Sequence, residues 1–210
     1  MSDPASQSVD SILAEFERRE NLLETFCAKT KQLIEECLED AQIRYQSVQA
    51  RVKTRNKLRA KYTDPQKSYR CLDDITDLAA LRVITYYEDE IDSVAKVIER
   101  EFKIDPDRSI DKRKTEPDRF GYDGVNYICC HTAQRSASTE YRKFSNVRCE
   151  IQITSILSHA WAEIEHDWYD RGSIERLRPL ADSRPQPPAT RQSNPRFRWR
   201  SGPASQPSPI

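Results

Sequence analysis

Proline and glycine are spread so unevenly along this chain that they divide it before any other signal is read. Neither occurs between Ala5 and Asp64, whereas eight of the twelve prolines lie beyond Gly172 in a sequence of 210 residues. A long stretch without either residue permits uninterrupted helix, because nothing fixes φ or supplies an easy left-handed stop. A proline-rich stretch with few aliphatics cannot bury enough surface to order itself. The expected organisation is an N-terminal helical region over 1–40, a folded domain over 41–171, and a disordered Arg/Pro/Ser-rich tail over 172–210. That tail holds seven Arg against one Asp and one Glu, so the formal net charge of zero conceals a basic end and an acidic body. The change of composition at Arg171-Gly172 is also what a truncated or frame-shifted gene end would produce.

Inside the first block, Phe26, Thr30, Leu33, Cys37, Ala41, Tyr45, Val48 and Val52 recur at three-to-four spacing, which predicts helix from Val9 to Lys61, ended by Thr63-Asp64-Pro65. Leu72 to Leu78 then starts a short helix leading into a buried strand, Leu81 to Tyr87, rich in β-branched and aromatic residues. Ile91 to Phe102 is amphipathic helix, Phe102 to Tyr122 a polar, charged loop, and Val125 to Thr132 and Val147 to Ile153 two further strands. Ser155 to Trp168 closes the ordered part as a helix, with Ile156, Ala160, Ile164 and Trp168 on one face. Helices and strands alternating around a small sheet make the fold class α+β or α/β. No run approaches 18 apolar residues, which excludes an apolar membrane-spanning helix. The start, Met-Ser-Asp-Pro-Ala-Ser, lacks a signal-peptide pattern, so the expected location is the cytoplasm. Six cysteines show neither a CxxC pair nor a histidine at ligand spacing, and they read as buried reduced thiols.

Chemistry concentrates in four places. Arg51 to Lys61 (RVKTRNKLRAK) carries six cations in eleven residues, which suits a solvated helix face or a surface turned to phosphate. Asp73-Asp74-Ile75-Thr76-Asp77 puts three carboxylates ahead of a buried strand that contains Arg82. Capping accounts for Asp73 or Asp74. Asp77 and Arg82 fit a structural ion pair and a metal-phosphate site equally well. In Cys149-Glu150-Ile151-Gln152-Ile153 the strand period puts Glu150 and Gln152 on one wet face. Phe120-Gly121-Tyr122 is an aromatic on a glycine hinge, suited to packing or to stacking on a base.

In this order along the chain, the motifs resemble the synthetase domain of the RelA/SpoT family. Glu150-Ile151-Gln152-Ile153 followed by His159-Ala160-Trp161-Ala162-Glu163-Ile164-Glu165-His166 is similar to the family's EIQIRT…HAWAEIEH signature. Asp74-Ile75-Thr76-Asp77-Leu78-Ala79-Ala80-Leu81-Arg82-Val83-Ile84 resembles DIxDLAGxRVI, Arg51-Val52-Lys53 with Leu58 and Lys61 resembles RVKxxxSLxxK, and Gly121-Tyr122 stands at GYxSxH.

The resemblance implies an α+β fold, a mixed β-sheet flanked by helices and nucleotidyltransferase-like, and a GTP pyrophosphokinase, transferring pyrophosphate from ATP to the 3′-hydroxyl of GTP or GDP and releasing AMP. It implies Asp77 and Glu150 as the pair holding Mg²⁺, with Glu150 also taking the proton of the attacking hydroxyl. Arg51, Lys53, Lys61 and Arg82 would neutralise the triphosphate, and Tyr122, Asn126 and Gln152 would face the acceptor. A polyphosphate of about four charges needs a divalent cation and several Lys or Arg before a hydroxyl can approach.

The chain departs from the pattern at Ala80 (for Gly), Lys57 (for Ser), Thr154-Ser155 (for Arg-Thr) and Asp123-Gly124-Val125-Asn126, which lacks the Ser and His of GYxSxH. Alternatives are a toxin modifying the 3′ end of transfer RNA, a degenerate nucleotide-binding relative, and a plain nucleic-acid-binding module. The N-terminal helices are suited to pairing in a homo-oligomer, capping the domain or meeting an antitoxin partner.

Overall fold

A computed structural model describes residues 7–115 and 124–170. The expectations for Tyr122 and for the tail at 172–210 lie outside the described residues. The elements are α1 (Val9–Asp40), β1 (Ser47–Val52), α2 (Arg55–Tyr62), a 3₁₀ turn (Leu72–Asp74), β2 (Ala79–Thr85), α3 (Glu90–Glu101), β3 (Phe102–Asp111), α4 (Lys112–Thr115), β4 (Gly124–His131), α5 (Ala133–Ala137), a second 3₁₀ turn (Arg142–Phe144), β5 (Cys149–Ser155) and α6 (Ile156–Asp170). Five strands form one mixed sheet in the order β1-β2-β5-β4-β3. The central pair β2 and β5 runs parallel, and every other pair is antiparallel. The expected α+β architecture is therefore present.

Helix α1 follows its sequence closely. Ser8 caps it by accepting from the Ser11 amide, and Ile12, Leu13, Phe16, Leu23, Phe26, Cys27, Thr30, Leu33, Ile34 and Leu38 form its buried stripe. The stripe packs on β1 and β2. Beside it α3, with Ile91, Val94, Ala95, Val97 and Ile98 buried, covers β3, β4 and β5. Both helices press on the sheet face carrying Val48, Leu81, Val83, Cys149, Ile151, Ile153, Val125 and Cys129, which belong to one core cluster. At its edge His131 sits among Phe26, Phe102, Tyr141 and Phe144, with ring centroids 5.0 to 6.2 Å away.

Two sequence expectations are corrected. The helix predicted from Val9 to Lys61 stops at Asp40. Gln42 takes φ 56°, its amide donates to the Glu39 carbonyl, and Ile43 donates to Leu38. This is a Schellman stop built without glycine. Beyond it, Val48, Ala50 and Val52 alternate with Gln49 and Arg51, a period of two that the helical spacing concealed, and the segment pairs with β2 as an edge strand. The predicted loop after Phe102 begins as strand β3. Phe102 and Ile104 pair with His131 and Cys129, and the register then shifts between Asp105 and Ile110. Ser109 bridges that irregularity, donating to the Asp105 carbonyl at 2.6 Å and accepting from the Ile128 amide at 3.0 Å. Pro106 is tolerated because β3 lies at the sheet edge.

The short helix expected over Leu72 to Leu78 is only the 3₁₀ turn Leu72–Asp74, whereas the strands and helices expected at Leu81–Tyr87, Ile91–Phe102, Val125–Thr132, Val147–Ile153 and Ser155–Trp168 form within two residues of those ends. Helix α6 forms as expected and leaves Ile156, Leu157, Trp161 and Ile164 exposed. Among the described residues no helix is long and apolar enough to cross a membrane. All six cysteines are free thiols.

Candidate active site

With one sheet face taken by α1 and α3, strand alternation turns a polar set to the other. The register brings Gln49 opposite Arg82 and Arg51 opposite Ala80 across β1 and β2. It then aligns Ala80 with Glu150 and Arg82 with Gln152 across β2 and β5, and Gln152 with Asn126 across β5 and β4. Residues scattered over a hundred positions thus share one surface. A cavity of about 210 Å³ opens there, lined by Gln49, Arg51, Arg82, Gln152 and Glu163.

Asp77 lies just ahead of β2, and its surroundings are built by local structure. The Lys53 amide donates to the Leu78 carbonyl at 2.8 Å, which holds the end of β1 beside the carboxylate. Helix α2 is capped by Thr54 and anchored through buried Leu58, and it brings Lys61 to the same place. Lys53 Nζ and Lys61 Nζ both reach Asp77 Oδ2, at 2.9 and 2.8 Å. Burial pushes the Asp77 carboxyl up, but the hydrogen bonds from Lys61 and Lys53 outweigh it and hold the group below its ordinary range. Burial pushes Lys61 down, and Asp77 more than offsets this, so its ammonium stays protonated beyond the ordinary range. The Glu150 charge also raises Lys61. Asp77 Oδ1 is buried without a hydrogen-bond partner.

The other two carboxylates of the cluster are structural. Asp74 accepts from the amides of Arg70 and Cys71 at 2.7 and 3.1 Å, and Asp73 pairs with Arg19 at 2.7 Å. Asp77 and Arg82 are not partners of each other. Arg82 donates through Nε to Gln152 Oε1 at 3.1 Å and through one terminal nitrogen to His159 Nδ1 at 3.0 Å and Glu163 Oε1 at 3.3 Å. His159 is depressed by burial and by the adjacent guanidinium, which suits a neutral ring accepting from Arg82. The sequence reading quoted His159 and Glu163 within a motif without giving them a role. Their i,i+4 spacing on a helix just after the Glu150 strand is the signal that they converge on one partner. Asn126 donates through Nδ2 to Glu150 Oε1 at 3.4 Å.

The structure thus brings together Arg51, Lys53, Lys61, Asp77, Arg82, Asn126, Glu150 and Gln152 around one polar surface. A larger cavity, about 550 Å³, lies at Lys29, Thr139, Glu140, Arg142 and Lys143. It holds one carboxylate, already paired with Lys29, so its chemistry is the poorer despite its size. Among the described residues no group of three or more His, Cys, Asp or Glu is arranged to hold a metal ion.

A family model described as the region found in RelA / SpoT proteins matches residues 50–173. Among solved structures, small alarmone synthetase 2 from Bacillus subtilis is similar at 18% identity and TM-score 0.63, over 80% of this chain and 87% of that one. Small alarmone synthetase 1 from the same organism, bound to its product pppGpp, is similar at 19% identity and TM-score 0.61, over 80% and 90%. The same synthetase bound to AMPCPP gives 19% and 0.54, over 80% and 87%. No curated protein matches the sequence.

Proposed function

The chain belongs to the RelA/SpoT family, and from that premise we propose that it is a GTP pyrophosphokinase, moving pyrophosphate from ATP to the 3′-hydroxyl of GTP or GDP. The observation that carries the reading is Lys53 and Lys61 meeting on Asp77 just ahead of β2, beside a sheet face that carries Arg51, Arg82 and a second carboxylate, Glu150. Solved relatives at 18–19% identity share the fold, and one of them carries pppGpp or AMPCPP in its structures, which supports nucleotide substrates here.

In this reading the acceptor oxygen attacks the β-phosphorus of ATP, the bond to the α,β-bridging oxygen breaks, and AMP leaves. Glu150 takes the hydroxyl proton, its carboxylate held toward the cleft by Asn126. Arg51, Lys53, Lys61 and Arg82 spread positive charge along the polyphosphate, where positioning and electrostatics carry most of the catalysis. Arg82 is braced by Gln152, His159 and Glu163, so little reorganisation is needed when phosphate arrives. Asp77 and Glu150 would hold Mg²⁺, and the partnerless buried Oδ1 of Asp77 fits a cation that prefers one or two carboxylates with phosphate oxygens and water. When bound, that ion offsets polyphosphate charge and polarises the phosphoryl oxygens. Tyr122 and Gln152 complete the acceptor side in this proposal.

The test is thin-layer chromatography of γ-³²P-ATP incubated with the full chain, Mg²⁺ and either GTP, GDP or bulk transfer RNA. Label on a guanosine nucleotide, lost in Glu150→Gln, is the expected result. Label on RNA alone would assign the acceptor to the toxin class, and folded protein silent with all three would make it a degenerate relative.

A further inference from the structure

Among the described residues two buried polar atoms of the cleft lack a partner, Asp77 Oδ1 and Asn126 Oδ1. The second has no place in the chemistry so far. Asn126 stands on β4 opposite Gln152, and diagonal to Glu150. Its amide orientation is dictated by that neighbour. Glu150 only accepts hydrogen bonds when ionised, so the side-chain nitrogen must face it, as the 3.4 Å contact has it. The reversed amide would set two oxygens against each other. The carbonyl oxygen is therefore presented on the other side of the amide, buried and short of a donor. Gln152, directly opposite, accepts from Arg82 through Oε1, and its Nε2 makes no hydrogen bond to Asn126 Oδ1. Ile110, the β3 residue opposite, offers no side-chain donor.

The depth of this amide is set two residues earlier. At Gly124 a β-carbon would come within 2.5 Å of the Ile153 carbonyl oxygen, so glycine lets β4 close onto β5 there. A serine, which the family pattern has at this position, would hold the strand off. The chain therefore couples a close strand approach to an asparagine beside the proposed base.

A buried carbonyl without a donor is costly, and a ligand that brings a donor removes the cost. If Glu150 takes the proton of a ribose 3′-hydroxyl, the neighbouring 2′-hydroxyl, cis on the adjacent carbon, lies one amide's width away. We propose, resting on the pyrophosphokinase reading, that Asn126 Oδ1 accepts a hydrogen bond from the acceptor's 2′-hydroxyl and makes the enzyme selective for ribonucleotides over 2′-deoxyribonucleotides.

The experiment compares kcat/KM for GTP and 2′-deoxy-GTP in the wild-type chain and in Asn126→Ala, with melting temperature as the check on folding. One buried hydrogen bond corresponds to a preference of about 5- to 150-fold for GTP in the wild type. In Asn126→Ala the two acceptors are expected within about 2-fold of each other. If the variant does not turn over, equilibrium binding of GDP and 2′-deoxy-GDP to both proteins reads the same preference. Equal use of both acceptors by the wild type, or a preference kept in Asn126→Ala, overturns the proposal. Transfer to GTP and 2′-deoxy-GTP alike, abolished by Glu150→Gln, would sink this inference and leave the pyrophosphokinase reading standing. Transfer to neither would sink that reading, and equal affinities for GDP and 2′-deoxy-GDP would then sink this one as well.

Discussion

Lowering the pH from 7 to 5 is expected to cost the fold about 2 kcal/mol through one side chain, His131. Its ring is 2% exposed, Nε2 lies 3.1 Å from Thr30 Oγ1, and Nδ1 has no partner. Burial first, and the Arg135 charge second, lower it from 6.5 to about 4. The sign follows from the two states. The unfolded chain binds the proton below about pH 6.5, while the folded chain keeps the ring neutral until about 4. Stability is therefore full above that upper value and drains as pH falls toward the lower one, reaching on the order of 3 kcal/mol in total. The window from 7 to 5 lies mostly above the carboxylates, so histidine dominates it. Urea unfolding at both pH values measures the loss directly. His131→Gln keeps an amide able to meet Thr30 and removes the titration. It is expected to be less stable at pH 7, because it gives up contacts with Phe26 and Tyr141, yet much flatter between 7 and 5. A wild-type and a His131→Gln protein losing equal stability over that window would refute the reasoning.

Three further outcomes are expected. Gln42→Gly removes the strain of a left-handed glutamine at the end of α1 and should stabilise the fold by about 0.5–1 kcal/mol in urea unfolding. Gly124→Ser, which would restore a family-like residue, should instead destabilise by about 1–3 kcal/mol and lower the melting temperature, because its β-carbon meets the Ile153 carbonyl oxygen. Lys61→Met takes one of two ammonium groups from Asp77, so the acid limb of the pH–rate profile should move to higher pH, with kcat/KM down at least about 10-fold; an unmoved limb would count against the Lys61–Asp77 contact as drawn.

The parts of the fold that were legible in the sequence are those whose period is unambiguous. Ile91, Val94, Ala95 and Ile98 read as helix and are helix, and the β-branched run Val83-Ile84-Thr85 reads as strand and is strand. Val48 and Val52 misled because a separation of four satisfies both periods, and only Ala50 between them distinguishes the strand. Asp40 was passed over as a helix end because the stop uses Gln42, a residue that rarely adopts that backbone. The polar residues of β3 concealed its pairing, which is edge pairing and asks little of side chains. The candidate site was legible as residue types at motif spacing, which marked Asp77, Glu150 and the lysines. The bracing of Arg82 by His159 and Glu163 was not, since it depends on where α6 leaves the sheet. Nor could spacing reveal that Asp77 would meet both Lys53 and Lys61.

The parallel pairing of β2 with β5 has a consequence for how the protein comes to life on the ribosome. Arg82 and its partner Gln152 are separated by 70 residues, and two strands must be spliced to either side of β5 before the sheet closes. The hairpin of β1 and β2, with α2 between, forms from nearby sequence and already joins Lys53 and Lys61 to Asp77. Glu150 arrives only when β5 is synthesised and the long loop is closed, a late and entropically costly step. A nascent chain halted before Cys149 can gather cations around one carboxylate but has no second carboxylate to complete the pair. If the proposed pyrophosphokinase reading holds, activity would therefore switch on in a single step near the end of the domain, and a partly made chain would stay chemically silent.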